Sequence, residues 1–179
     1  YSLILEEHTR LYDSFEPLDE ETEGKWSDYI VETLSHAGFH RYEVSNFALG
    51  NHESEHNKVY WHYDNYYGVG IGATGKIDNE LISHSRSLTD YLQGKNTIYI
   101  EKETIEDTMF NHLMMSLRLK EGLDLDEFKR RYHCSVEDVY KEALTKNLGN
   151  HSLIIENNHL KTNDTLDLLN SILLDFLPE

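Results

Sequence analysis

The stretch YEVSNFALGNHESEHNKVYWHYDNYYGVGIGATG, residues Tyr42 to Gly75, decides how the rest of the chain is read. It is too rich in His, Asn and aromatic residues for ordinary core and lacks the periodicity of an ordinary helix. Between Tyr60 and Tyr67, Tyr60, Trp61, Tyr63, Tyr66 and Tyr67 surround His62, and Gly68, Gly70, Gly72 and Gly75 follow. Large flat side chains beside backbone without Cβ atoms suit a planar or nucleotide-like ligand.

Working outward toward the N-terminus, Tyr1-Ser2-Leu3-Ile4-Leu5 has the apolar character of a strand and reads as if cut from a larger protein. An acidic linker follows. Asp19 then opens a helical pattern with Trp26, Ile30, Val31 and Leu34 on one face, closed by Gly38. Tyr42, Val44 and Phe47 alternate as a strand does, so a strand, helix, strand unit with parallel pairing is expected. Toward the C-terminus, Tyr67–Ile71 reads as a strand, Ala73–Ile77 and Leu81–Ser85 as a hairpin, and Ser87–Gln93 as a short helix ended by Gly94.

The character changes near Glu101. Met109, Leu113, Met114, Leu117 and Leu119 follow a helical spacing that ends at Gly122, and Asp124 and Ser135 are suited to cap two more helices. Leu153-Ile154-Ile155 and His159-Leu160-Lys161 bracket the turn-prone Glu156-Asn157-Asn158, and a last helix is expected from Asp164 to Leu177. Helices followed by a small hairpin resemble a winged-helix module. The expected division is therefore residues 1–100 and residues 101–179.

Charge opposes the usual use of such a module. With 16 Lys+Arg against 33 Asp+Glu, the formal net charge is −17, which disfavours docking on nucleic acid or an anionic membrane surface. The single cysteine, Cys134, excludes an internal disulfide and cannot alone hold an iron–sulfur cluster or structural zinc. A reduced, cytoplasmic setting is expected. No run of apolar residues has the length of a membrane-spanning segment.

Several chemistries lack their signatures. Gly70-Ile71-Gly72-Ala73-Thr74-Gly75 matches the dinucleotide fingerprint in letters, but no helical pattern follows to receive a pyrophosphate. His52, His56 and His62, with Glu53, Glu55 and Asp64 nearby, make a mononuclear metal site conceivable without any specific spacing. There is no nucleophile elbow, and no catalytic carboxylate pair stands out. His56-Asn57 followed by Tyr60-Trp61 reads as a hydrogen-bonded corner or as a haem contact, since haem iron accepts imidazole.

Tyr42-Glu43-Val44-Ser45-Asn46-Phe47-Ala48, Ser54-Glu55-His56-Asn57, Tyr60-Trp61 and Tyr67-Gly68-Val69-Gly70-Ile71-Gly72-Ala73 occur in a definite order and spacing. In that order they resemble the oxygen-independent coproporphyrinogen III oxidase-like radical SAM proteins, and most of all their HemW haem chaperone branch. Tyr1–Thr9 is similar to a late barrel strand, and Met114–Gly122 with Phe128 to the start of the C-terminal helical domain.

The resemblance implies an α/β fold: the last strands and helices of a partial (β/α) radical SAM barrel, plus a small, winged-helix-like C-terminal domain. It further implies that Gly70, Ile71, Gly72, Ala73 and Thr74 line the S-adenosylmethionine cleft, and that His56, Asn57, Tyr60 and Trp61 serve haem or structure. No catalytic and no metal residue is assigned. The cluster-binding CxxxCxxC loop is absent from this sequence, so the fragment is expected to hold no cofactor and to be inactive alone. Its parent would carry S-adenosylmethionine, a four-iron four-sulfur cluster and haem. Where many relatives read Gly-Pro-Gly-Ala-His, Ile71 and Thr74 replace the proline and the histidine. The implied function is haem binding and delivery to an acceptor protein; the alternatives are coproporphyrinogen III oxidation and a non-enzymatic interaction module. In the last case Met109, Met114 and Met115 would face a partner.

Overall fold

The computed structural model describes residues 3, 5, 7–12, 14, 15 and 18–177, which form two compact units, Tyr1–Glu53 and Ser54–Glu179. In the first, helix α1 spans Glu20–His36. It starts at Asp19 because that carboxylate accepts from the Thr22 amide at 2.9 Å, and Glu20, Glu21 and Glu23 favour the positive end of the helix dipole. Gly38 at φ +86° turns the chain out, as its sequence position predicts.

Strands β1 (Phe39–Arg41) and β2 (Phe47–Leu49) then pair antiparallel, with His40 opposite Ala48. The strand expected across Tyr42 and Val44 is instead the connection between them. The Tyr42 amide still donates to the Asn46 carbonyl at 3.2 Å, and the turn beyond is closed by Arg41, whose guanidinium donates to the Val44 carbonyl, and by the Glu43 carboxylate, which accepts from the Ser45 amide at 2.8 Å. The expected opening strand Tyr1–Leu5 falls mainly on residues outside those described, and so does its expected parallel pairing with the Tyr42–Phe47 segment. Trp26, Ile30 and Val31 of α1 line a cavity of about 370 Å³ with Phe15, Leu18 and Phe47.

In the second unit, helix α2 (Glu55–Trp61) precedes a hairpin of β3 (Thr74–Ile77) and β4 (Glu80–His84). The turn uses Asp78 at φ +53°, held by Asn65, whose side-chain oxygen accepts from the Asp78 amide at 2.7 Å. Tyr67–Ile71 is not a strand. Gly70 at φ +99° and Gly72 at φ +69° take it out of extended backbone, leaving only an isolated bridge between Tyr66 and Lys76. Helix α3 (Leu88–Leu92) is capped by Ser87 and released by Gly94 at φ +74°. Strand β5 (Ile98–Lys102) extends the hairpin into an antiparallel sheet of order β3-β4-β5.

Helix α4 (Ile105–Ser116) opens with a capping box between Thr104 and Asp107. The two-residue strand β6 (Leu123–Asp124) leads into α5 (Leu125–Tyr132), where Asp124 accepts from the Asp126 and Glu127 amides. After α6 (Val136–Val139) and α7 (Lys141–Gly149), strands β7 (Leu153–Glu156) and β8 (His159–Thr162) form a hairpin around left-handed Asn157 and Asn158. The sheet order β6-β8-β7 behind α4, α5 and α7 is the winged-helix arrangement. Leu113, Leu117, Leu123, Phe128, Leu153 and Leu160 are wholly buried in its core, each worth about 1.5–3 kcal/mol.

The last helix is shorter than expected: 3₁₀ turns at Leu166–Leu168 and Leu174–Phe176 flank α8 (Leu169–Leu173). Buried Leu166, Leu169 and Ile172 recur every third residue, a spacing that 3₁₀ turns bring to one side.

Candidate functional site

Helix α2 carries the histidine motif. Ser54 caps it by accepting from the Asn57 amide at 3.3 Å, so Asn57 enters the structure through its backbone. One helical turn sets His56 beside Tyr60: Nε2 and the phenol oxygen lie 3.1 Å apart and the rings meet edge to face. Tyr60 in turn packs on Tyr66 with centroids 4.6 Å apart. His56 itself is exposed.

Trp61 faces the other way. Arg118 lies 5.5 Å from its ring, Ser116 donates to its carbonyl at 3.2 Å, and its indole N–H is buried without a partner. His62 Nε2 stands 3.1 Å from the Glu121 carboxylate, whose hydrogen bond raises the imidazole pKa despite partial burial. His62 is thus turned away from His56. Among the described residues no His, Cys, Asp and Glu side chains converge in a group of three fit for a metal ion.

Tyr63, the residue after this helix end, takes a left-handed conformation at φ +56° and is buried. Its carbonyl accepts from both Lys76 Nζ at 3.0 Å and Arg131 Nη1 at 3.1 Å. Its hydroxyl donates to Glu103 at 2.5 Å, and Asn111 donates to the other Glu103 oxygen at 2.6 Å. Lys76 also sits 3.9 Å from the Tyr63 ring centroid, and burial lowers its pKa. Arg131 reaches Asp64 at 2.6 Å. Beyond Tyr63, the ring of His112 stacks between Tyr63 and Phe128; burial pushes its pKa down to about 3, and Nδ1 has no partner. A cavity of about 200 Å³ lies against this cluster, lined by Tyr60, Tyr66, Lys76, Glu103, Met114 and Met115.

The glycine segment divides in two. Gly68 and Gly75 touch backbone to backbone: a Cβ on Gly68 would stand 2.5 Å from the Thr74 carbonyl carbon, and one on Gly75 2.6 Å from the Gly68 nitrogen. Gly70 faces open space instead, and the Cβ position of Gly72 meets Arg86 Cγ at 3.4 Å. Ala73 donates to the Gly70 carbonyl, Gly72 to the Ser85 carbonyl, and Thr74 Oγ1 lies 3.1 Å from Ser83 Oγ. Tyr67 and Val69 stand 84% and 88% exposed beside this loop, and a strand rather than a helix follows it.

Residues 104–165 match the family described as HemN C-terminal domain. The chain is 30% identical over 190 residues to the heme chaperone HemW of Lactococcus lactis, covering 99% of this chain and 49% of that protein. The chain belongs to the HemN-like radical SAM family. It is also 31% identical to the mitochondrial radical S-adenosyl methionine domain-containing protein 1 of Danio rerio, over all of this chain and 45% of that protein. Its fold matches that of the radical SAM enzyme coproporphyrinogen III oxidase (HemN) from Escherichia coli, with a TM-score of 0.67 at 14% identity, over 89% of this chain and 42% of that one. The HemN-like chain spans about half the length of the curated relatives it matches. Its architecture is the C-terminal portion of that radical SAM fold, and no helix among its described residues is long and apolar enough to cross a membrane.

His56, Tyr60 and Trp61 are visible in the sequence, but Lys76, Glu103, Asn111, His112 and Arg131 are not. Lys76 alternates with Gly75 and Ile77 in an ordinary hairpin strand, and Arg131 ends an amphipathic helix like any basic residue in a last turn. Only the density of aromatic residues after Trp61 hints that charged groups would be enclosed there.

Proposed function

We propose that this chain is the tetrapyrrole-handling portion of a haem chaperone, which binds haem as cargo through helix α2 and passes it to an acceptor protein. The observation that carries this reading is the exposed His56 imidazole held against the Tyr60–Tyr66 ring pair. An imidazole is a fitting haem ligand, and aromatic rings beside it offer the flat apolar contact that a porphyrin needs. Iron bound at Nε2 would take the place of the Tyr60 hydroxyl. Asn57 and Trp61 support this surface by fixing the start and end of the helix. The names of the HemW relatives support the same reading.

The loop Gly70, Ile71, Gly72, Ala73 and Thr74 is proposed to approach S-adenosylmethionine. The open space at the Cβ position of Gly70 fits the edge of a flat ligand, with Arg86 beside Gly72 at its border. With the iron–sulfur cluster, that cofactor supplies the family's radical chemistry when bound. A division into residues 1–100 and 101–179 belongs to this proposal, on the ground that the capping box at Thr104 starts a helix at the edge of the matched C-terminal domain. A cytoplasmic setting belongs to it too, in keeping with the lone Cys134.

Haemin titration tests the reading. A shifted Soret band with the protein, lost in His56→Ala, is the expected result. No spectral change with the wild type, or an unchanged spectrum and affinity in His56→Ala, refutes it.

A further inference from the structure

Lys76 is a buried ammonium without a counter-ion among the described residues. It is 4% exposed, and its Nζ donates to the Tyr63 carbonyl at 3.0 Å while lying 3.9 Å from that ring's centroid. No carboxylate of the described residues comes within 4 Å of it. Buried charges are ordinarily paired, because an ammonium taken from water recovers little of its hydration from one carbonyl and one ring. The carboxylates that act on it from farther off are already engaged. Asp64 is bound by Arg131 at 2.6 Å, the two Glu103 oxygens accept from Tyr63 and Asn111, and Asp78 accepts from Asn65 at 3.0 Å. Arg131, the other cation here, has both Asp64 and Glu127 as partners. Burial first and Arg131 second lower the Lys76 pKa, as an uncompensated charge requires.

The ammonium is also fixed in place beside a cavity. Lys76 exchanges both backbone hydrogen bonds with Tyr66 at 2.9 Å, so its stem starts next to the ring that packs on Tyr60. Tyr60, Tyr66 and Lys76 line the cavity of about 200 Å³ together with Leu81, Met114 and Met115. That volume is below the roughly 300–1,000 Å³ of pockets that enclose a whole ligand, so it suits an arm of a ligand rather than a tetrapyrrole ring. Its apolar lining fits methylene groups, and Lys76 fits a carboxylate at their end.

We propose, on the reading that His56 holds haem iron, that this cavity is a subsite for a carboxylate arm of the tetrapyrrole, in which Lys76 Nζ pairs with a haem propionate. The Tyr60–Tyr66 pair belongs both to the surface beside His56 and to the cavity lining, so a porphyrin resting on these rings has the cavity at its edge. Lys76 then selects tetrapyrroles with free carboxylates over those whose arms are capped. The formal net charge of −17 repels a dianionic cargo, so a preference for the free acid has to come from a local cation.

The test titrates haemin and haemin dimethyl ester, in which both propionates are capped, into the wild type and into Lys76→Met, following the Soret band. The wild type should bind haemin about tenfold or more tightly than the ester, the worth of one charge-assisted hydrogen bond. Lys76→Met keeps the apolar stem and leaves Arg131 on the Tyr63 carbonyl. It should bind both ligands as the wild type binds the ester, with the Soret band unmoved, because capping the arm and removing the ammonium break the same contact. Comparing the two ligands on the wild type needs no substitution, so it decides the matter even if Lys76→Met does not fold. Equal affinity of the wild type for haemin and ester, or a preference that survives in a folded Lys76→Met, overturns the subsite and leaves haem binding at His56 standing. No Soret shift with either ligand overturns both.

Discussion

Replacing Arg131 with methionine tests how the histidine-bearing helix is held. The guanidinium donates to the Tyr63 carbonyl at 3.1 Å, to Asp64 at 2.6 Å and to Glu127 at 2.8 Å, while its side chain is 22% exposed. Hydrogen bonds to charged groups contribute about 1.5–3 kcal/mol each when a partner would be left buried and unsatisfied. That condition holds only in part here. Asp64 and Glu127 are 46% and 30% exposed and regain water, so their pairs fall toward the surface value of about 0–1 kcal/mol. The Tyr63 carbonyl keeps Lys76, and methionine keeps the apolar stem. The net loss is about 1–3 kcal/mol, or about 2–12 °C in Tm for a chain of this size. Urea unfolding followed by circular dichroism measures it directly. The control is Arg130→Met, whose side chain is 73% exposed and whose change should stay within about 0.5 kcal/mol. A loss for Arg131→Met no greater than that of the control would refute the claim that Arg131 holds the end of α2.

His112 is buried neutral at about pKa 3, whereas the unfolded chain titrates it near the ordinary 6.5. Between those values the unfolded state binds more protons, so folding stability falls as pH falls; His112→Phe should flatten this acid limb by up to about 1.4 kcal/mol per pH unit, and parallel stability curves would refute it. Gly75→Ala drives a Cβ into the Gly68 backbone and should cost several times more stability than Gly70→Ala, which meets open space and only the strain of φ +99°. Equal losses in chemical denaturation would show that the Gly68–Gly75 contact is not what fixes the loop.

What was legible in the sequence was whatever depends on neighbours along the chain. Asp19, Ser87, Asp124 and Ser135 all cap helices, because a short polar side chain satisfies amides two or three residues ahead wherever the chain goes later. The hairpins at Asp78 and at Asn157-Asn158 follow for the same reason. The failures lie where distant or competing partners decide. Tyr67–Ile71 has the composition of a strand, but contact of Gly68 with Gly75 and two positive φ angles pull it out of a sheet. Strand β5 alternates Ile98, Tyr99, Ile100 and Glu101, yet only its register with β4 separates it from the linker before α4.

The candidate site shows the same division. His56 meets Tyr60 because both lie on one helix face, which spacing alone foretells, whereas the support for that helix comes from residues up to sixty-eight positions away. Ser116 holds the Trp61 carbonyl, Arg131 and Lys76 hold the Tyr63 carbonyl, and Glu103 holds the Tyr63 hydroxyl. Ser116 and Arg131 lie in the stretch that matches the HemN C-terminal domain, so that domain fixes the end of the helix presenting His56. A ligand that displaces the Tyr60 hydroxyl from His56 pulls on a helix anchored at its far end.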